Sequence, residues 1–367
     1  MKNGLSVLLI VTAMVVVSCQ PIGPAEDRSN YDDVVQTTVD AYIRFLPRYY
    51  GELMFRGISS APVPTNTPRA PLGQCGYRDS LVTPEIMVVV RPNNDTIYGN
   101  CYVDLAQEPV VIKVPQNPEN RFWSVQLGDR WTNIAPGIGS RRGSEPGLYG
   151  LVGPAWEGDL PEGVREVRGP ENITMITFRV GYFSFESVAE SEADLNEAAE
   201  FLRRFTVVPL STFAESGAPE QAPPSGDLAV PPFSPRTFTT TLAEGRPFAL
   251  LNLIAQAVDQ PDCPKSEEEE ALLSRFKAHI GQAMGELASL DSDQSTAAAM
   301  TQGLMLARRL IEERVRSAKP GDNGWVTIHA GVWDERWLDR AAIAEYAIYA
   351  NRPDSSIYPD GHVDALG

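Results

Sequence analysis

The sequence predicts an α+β protein in which an antiparallel β-sandwich is flanked by an N-terminal helix and a mainly helical C-terminal segment. Three observations carry that expectation. Apolar residues recur at helical spacing just after residue 31, β-rich runs between Pro, Gly and Asn-Asp turns fill residues 82–185, and helical spacing returns from residue 266. The 30 prolines and 29 glycines among 367 residues favour many turns over a bundle of long helices, and 43% apolar residues suffice for packed cores.

Taken in order, residues 1–18 read as a lipoprotein signal peptide. Lys2 precedes the uncharged, apolar run Leu5 to Val17, too short to span a bilayer comfortably. Val16-Val17-Ser18-Cys19 resembles a bacterial lipobox, which makes Cys19 the expected lipidation site and the bilayer an expected partner. An ordinary signal cut elsewhere is the alternative. Residues 19–30 then form a polar tether to a body on the periplasmic or outer-membrane face of the envelope.

Residues 31–80 form a helical and loop region. Val34, Val35, Thr38, Ala41, Tyr42 and Phe45 share one helical face, and Pro47 is expected to end or kink the helix. Residues 81–210 are the expected sandwich, with strands at Met87–Val90, Val110–Val114, Phe122–Leu127 and Ile173–Val180. In the last of these Ile176, Phe178 and Val180 face one way, Thr177 and Arg179 the other. Ser191 to Phe205 returns to helical spacing. The proline-rich 211–237 segment reads as a linker or surface arm, and 238–367 as mainly helical. Ser266 and Glu269 form a capping box, with Glu267 to Glu270 in a favourable first turn, or alternatively a cation site. Ala297 to Ser317 and Leu338 to Ala350 are further helices, and Trp325–Ile328 an extended segment; the tail after Asn351 offers no capping element.

Charge and motifs exclude several functions. The formal charge of −17 repels phosphate backbones, so no nucleic-acid partner is expected. His279, His329 and His362 show no metal-ligand spacing, G-x-S-x-G is absent, and Gly137, Gly139 and Gly143 fit no phosphate-loop pattern. No metal or cofactor is expected. Cys75 and Cys101 either close a disulfide, which export permits, or are buried separately.

Two polar clusters remain. One is Arg91-Pro-Asn-Asn-Asp-Thr-Ile-Tyr98; the other is Asp129-Arg130-Trp131-Thr132-Asn133. If they converge, Asp95 or Asp129 can move a proton with Tyr98 assisting. Arg91 or Arg130 can clamp an anion, and Asn93, Asn94, Trp131 and Asn133 can contact a ligand. In the competing reading Asp95 and Asp129 simply pair with Arg91 and Arg130 and shape the loops. Tyr149 and Trp156, and the group Trp325, Trp333 and Trp337 near His329, are either core aromatics or stacking surfaces for a ring ligand.

These same stretches resemble the bacterial family carrying paired DUF1254 and DUF1214 domains. The likeness extends through Tyr102-Val-Asp-Leu105, Pro109-Val-Val-Ile-Lys-Val-Pro115, Arg121-Phe-Trp-Ser-Val-Gln126, Gly143 to Gly153, Gly324-Trp325 and Ala350-Asn-Arg-Pro-Asp-Ser-Ser-Ile-Tyr-Pro359. Arg44-Phe-Leu-Pro47 departs from the family's usual Gly-Tyr-Pro text. The resemblance implies a DUF1254-type sandwich and, usually, a jelly-roll DUF1214 domain beginning where this chain reaches Asp364-Ala-Leu-Gly367; a DUF1214-type partner chain is therefore an expected partner. It implies no reaction or catalytic residues. The expected function is an exported lipoprotein that binds a small polar ligand or supports an envelope assembly. The alternatives are a hydrolase or lyase acting on an exported organic or carbohydrate-like substrate, and the structural half of a split protein.

Overall fold

The structure, a computed structural model, describes residues 25–82, 93, 95–183, 185–222, 247–289, 295–317, 325–327, 330–350, 352 and 359–361. Residues 1–18, Cys19, the Met87–Val90 run, Arg91, Asn94, His329, His362 and most of the proline-rich arm lie outside them.

Helix α1 (Ala25–Ser59) buries the expected face of Val34, Val35, Thr38, Ala41, Tyr42 and Phe45, and Leu46 beside it. It does not stop at Pro47. A proline inside a helix forfeits one hydrogen bond and crowds the preceding turn, but the next turns bury Tyr49, Tyr50, Met54 and Ile58 in the same core, and the helix continues to Ser59.

The strands follow as β1 (Cys75–Tyr77), β2 (Thr96–Asp104), β3 (Val110–Val114), β4 (Trp123–Gly128), β5 (Ile134–Gly139), β6 (Gly147–Val152), β7 (Val164–Arg168) and β8 (Ile173–Gly181). Helix α2 (Val188–Arg203), β9 (Thr206–Pro209) and α3 (Leu210–Ser216) complete this part. They form a five-stranded sheet ordered β1-β2-β8-β4-β5 and a four-stranded sheet ordered β7-β6-β3-β9. Both sheets are open. Every pairing in the first is antiparallel, whereas β6 and β7 pair in parallel. Tyr149 is a core residue whose hydroxyl donates to the Glu145 carbonyl at 2.6 Å.

Between the sheets and under α2 lies a core of Ile97, Val110, Ile112, Trp123, Val125, Ile176, Phe178, Val180, Phe201 and Phe205. The other face of the large sheet is not uniformly polar. At one end Tyr102, Ile173 and Met175 pack against the helical core with α1, because alternation along β8 places Ile173 and Met175 opposite Ile176.

That helical layer comprises α1, α4 (Pro247–Val258), α5 (Glu267–Ser289), α6 (Ser295–Arg316) and α7 (Trp337–Ala347). The capping box starts α5 as expected: the Ser266 amide donates to Glu269 Oε2 at 2.8 Å and the Glu269 amide to Ser266 Oγ at 3.2 Å. Within the tail, β11 (Pro359–Gly361) pairs antiparallel with β10 (Trp325–Thr327).

Cys75 and Cys101 sit directly opposite on β1 and β2 and form a disulfide, their Cα atoms 4.4 Å apart. Cys263 is a buried free thiol. A cross-link over 26 residues restricts the unfolded chain. Reduction, or paired Cys75→Ser and Cys101→Ser substitution, is expected to cost about 3 kcal/mol. Thermal melting with and without reductant measures this, and coincident curves would contradict it.

Candidate functional site

The described residues of the two polar clusters do not converge. Strands β2 and β4 flank β8, each antiparallel to it, and therefore run in the same direction. Asp95 precedes the start of β2, beside Gly181; Asp129 follows the end of β4, where Gly128 pairs with Met175. Gly181 and Met175 stand about 20 Å apart at roughly 3.3 Å per residue. Both clusters lie at strand ends, but at opposite ends of one sheet.

Among the described residues of the first cluster, Asn93, Asp95 and Tyr98 form a turn. Tyr98 Oη accepts from the Asn93 amide at 3.0 Å and donates to the Asn93 carbonyl at 3.3 Å. The Asp95 amide donates to Asn93 Oδ1 at 3.3 Å, while Asp95 itself is exposed. The Arg179 guanidinium stands 5.4 Å from the Tyr98 ring centre. Asp95 and Tyr98 are thus parts of this turn rather than neighbours of Asp129.

In the second cluster Asp129 organises its own loop. Its Oδ1 accepts from the amides of Trp131 at 2.9 Å and Asn133 at 2.8 Å, and its Oδ2 accepts from Asn133 Nδ2 at 2.7 Å. These bonds hold the tight turn in which Thr132 adopts φ 64°. Asp129 does not pair with Arg130. The Arg130 guanidinium turns away into Glu171 Oε1 at 2.6 Å, Asp262 Oδ2 at 2.9 Å and Glu52 Oε2 at 3.5 Å. Burial works against its charge, but Glu171 and Asp262 outweigh burial and hold it above the ordinary guanidinium range. Arg130 is spent on protein carboxylates and does not clamp an anion.

Burial pushes the Asp129 carboxyl up to about 6, against the lowering effect of Asn133. The folded chain therefore keeps this proton at pH values where the unfolded chain, titrating near about 3.9, has lost it. The stability that Asp129 contributes is fully present below about pH 4 and is lost as the pH rises through about 6. Asp129→Asn is expected to flatten this part of the stability profile, measured as urea midpoints at pH 4 and pH 7. An unchanged slope would refute the assignment.

Behind this loop the sheet meets the helices. A cleft of about 320 Å³ is lined by Trp131 and Asn133 from the loop, by Pro264, Lys265, Ser266 and Glu269 at the start of α5, and by Trp337 and Arg340 from α7. Trp131 and Asn133 are the residues of the second cluster that reach it, and Trp337, one of the aromatic residues the sequence offers as a stacking surface, lines it too. The orientation of Trp131 and Asn133 is fixed: Trp131 Nε1 donates to the Pro264 carbonyl at 3.3 Å, and Asn133 Oδ1 accepts from the Trp333 amide at 3.2 Å.

Arg340, which sequence reasoning did not single out, dominates the cleft. It is only 6% exposed. Its guanidinium stands 5.0 Å from the Trp337 ring centre and 5.8 Å from that of Trp131. Arg44 stands 5.1 Å from Trp337 and Arg48 5.9 Å from Trp131. Three guanidiniums thus alternate with two indoles in the order Arg44, Trp337, Arg340, Trp131, Arg48, each contact within cation–π range. The spacings Arg44/Arg48 and Trp337/Arg340, one turn apart on their helices, were the available signal, but neither indicates the other.

The flanking cations have acidic partners, Arg44 with Glu268 at 2.6 Å and Arg48 with Glu171 at 3.1 Å. Arg340 has none within ion-pair distance among the described residues. Its Nε is buried without a hydrogen-bond partner, and Nη2 makes only a 3.5 Å contact to Asn133 Oδ1. Burial lowers its pKa, while Asp129, Glu269 and Asp334 act from a distance in the opposite sense. Among the described residues no group of three His, Cys, Asp or Glu side chains is placed to hold a metal ion.

Residues 72–209, from just before β1 to the end of β9, match the family described as "Protein of unknown function (DUF1254)", and the chain carries a domain of that family. The fold is similar to the crystal structure of the VPA0106 protein from Vibrio parahaemolyticus, with a TM-score of 0.53 and 16% identity over 87% of this chain and 69% of that one. At this identity the likeness is one of fold. No curated protein matches the chain.

Proposed function

We propose that this DUF1254-domain protein is an exported, lipid-anchored envelope protein that binds a small polar ligand in the cleft between the 129–133 loop and the helical layer. One observation carries the binding half: a guanidinium 94% removed from solvent, as Arg340's 6% exposure implies, lines an open cleft and lacks a full set of protein partners. A buried polar group left short of hydrogen bonds costs about 1–3 kcal/mol, more when charged. A ligand able to complete the set would relieve that cost. The envelope half is supported by Lys2, the Leu5 to Val17 run and Cys19, and by the Cys75–Cys101 bond, which suits an oxidising compartment.

A melting screen of the full-length protein against small polar compounds tests the first half, because a ligand that binds only the folded state raises the transition temperature. Shifts are expected for compounds that enter the cleft, and a screen without any shift would argue against it. Incorporation of labelled fatty acid in the native host tests the second half. It should vanish in Cys19→Ala, and retention would place the attachment elsewhere.

A further inference from the structure

We infer that the cleft recognises a singly charged organic carboxylate, with the acid group on Arg340 and an apolar remainder against Trp131, Trp337 and Pro264. This rests on the ligand-binding reading above and specifies its chemistry. The choice of anion follows from which donors are left. Lys265, the other cation lining the cleft, already directs its ammonium to the carbonyls of Val258 at 3.0 Å, Gln260 at 3.2 Å and Cys263 at 3.0 Å. Arg340 is therefore the cationic donor still short of partners, and its planar fork matches the two oxygens of a carboxylate. The indoles on either side restrict its movement, so little rotamer freedom remains to be lost on binding.

The surroundings set the ligand's charge. Asp129, Glu269 and Asp334 all act on Arg340, and Glu269 lines the cleft itself. With one unpaired cation among three acids the surroundings are already net negative, so a ligand's attraction comes from direct contact with the Arg340 fork, and every charge beyond the one held there is repelled. Phosphate and dicarboxylates are thereby disfavoured. The remaining wall consists largely of two indole surfaces and a proline, which offer contact area to a hydrocarbon or ring and few further hydrogen bonds.

The experiment is calorimetric titration of the full-length protein at pH 7 with benzoate, phenylacetate and hexanoate. Benzyl alcohol serves as a neutral probe, and phthalate and inorganic phosphate as dianionic probes. Carboxylate binding should exceed that of benzyl alcohol by roughly ten- to hundredfold, the range expected of a charge-assisted hydrogen bond. Arg340→Met should remove that preference. Arg340→Lys, which keeps the charge without the fork, should weaken carboxylate binding while leaving the transition temperature closer to wild type; this arm decides the matter if Arg340→Met does not fold. Benzyl alcohol binding as tightly as benzoate, or phthalate or phosphate binding as tightly as either, overturns the inference and leaves the cleft as a ligand site. Absence of binding by every probe, with no shift in the broader melting screen, removes both.

Discussion

Glu171→Gln is expected to destabilise the protein by about 3–5 kcal/mol, the usual range for removing one partner from a buried ion pair. Glu171 lies in the loop before β8, only 5% exposed, and a single one of its oxygens serves two cations. Oε1 accepts from Arg48 Nη1 at 3.1 Å and from Arg130 at Nε, 3.1 Å, and Nη2, 2.6 Å; Oε2 accepts from the Arg130 amide at 2.9 Å. Without that charge Arg48 has no counter-ion among the described residues; beyond residue 171 it has only a 3.4 Å bond to the Ala257 carbonyl, and its Nη2 is already unpartnered. Glu52 cannot substitute, because its Oε1 holds Arg56 at 2.7 Å and its Oε2 is 3.5 Å from Arg130. Glu52→Gln should therefore cost clearly less. Urea midpoints at neutral pH provide the comparison, and combining Glu171→Gln with Arg48→Met should recover part of the loss, since the orphaned charge is then gone. A loss under about 1 kcal/mol in Glu171→Gln, or the reverse ranking of the two variants, would show that this network does not join the layers.

The same residues connect stability to the cleft. Glu171 fixes Arg48, which borders Trp131 at one end of the guanidinium–indole series; Glu268 pairs with Arg44 at the other. Arg340 lies midway. The ion pairs sit at the outer positions, and the position facing the cleft is the one left without a carboxylate.

Much of the fold was legible because its signals are local. The apolar face from Val34 to Phe45, the Ser266–Glu269 box and the Ile176, Phe178, Val180 alternation each follow from short-range periodicity, and each is realised. Pro47 shows where a local rule gives way: later apolar residues on the same face keep the helix going. The site was less legible because it depends on topology. Strand ends can be read from turn residues, but not which end of the sheet they reach, and this separates Asp95 from Asp129. Nor does adjacency in sequence pair Asp129 with Arg130, since neighbouring side chains around a tight turn point apart. Glu171 sits in an unremarkable Gly-Pro-Glu-Asn stretch, and Arg340 follows the cluster's last residue by 207 positions. Trp131 and Asn133 were found because their cluster was dense in polar groups; their partners on α7 lie in an ordinary-looking helix.

Gly51→Ala should be among the most damaging single substitutions in the chain, although it replaces glycine with the best helix former. Within α1 the exchange taken alone would stabilise the protein by up to about 1 kcal/mol. An added Cβ, however, would stand 1.9 Å from the Arg130 carbonyl oxygen, 2.5 Å from its carbon and 2.8 Å from its Cα. These are backbone atoms, so no rotamer change relieves the clash. The segment is pinned as well, by the Arg130 amide on Glu171 and by the Asp129 bonds that shape the turn. Helix and loop must separate, at an expected net cost of about 3 kcal/mol. Gly281→Ala on the exposed side of α5 is the matched control, because its Cβ would meet nothing within 4 Å and only the propensity gain remains. The two glycine-to-alanine changes should therefore move the urea midpoint in opposite directions. Trp131 follows Arg130 directly, so Gly51→Ala should also disturb the cleft and weaken carboxylate binding, which Gly281→Ala should leave intact. A Gly51→Ala protein as stable as its Gly281→Ala counterpart would mean that the helix and the loop do not approach as closely as their backbones do here.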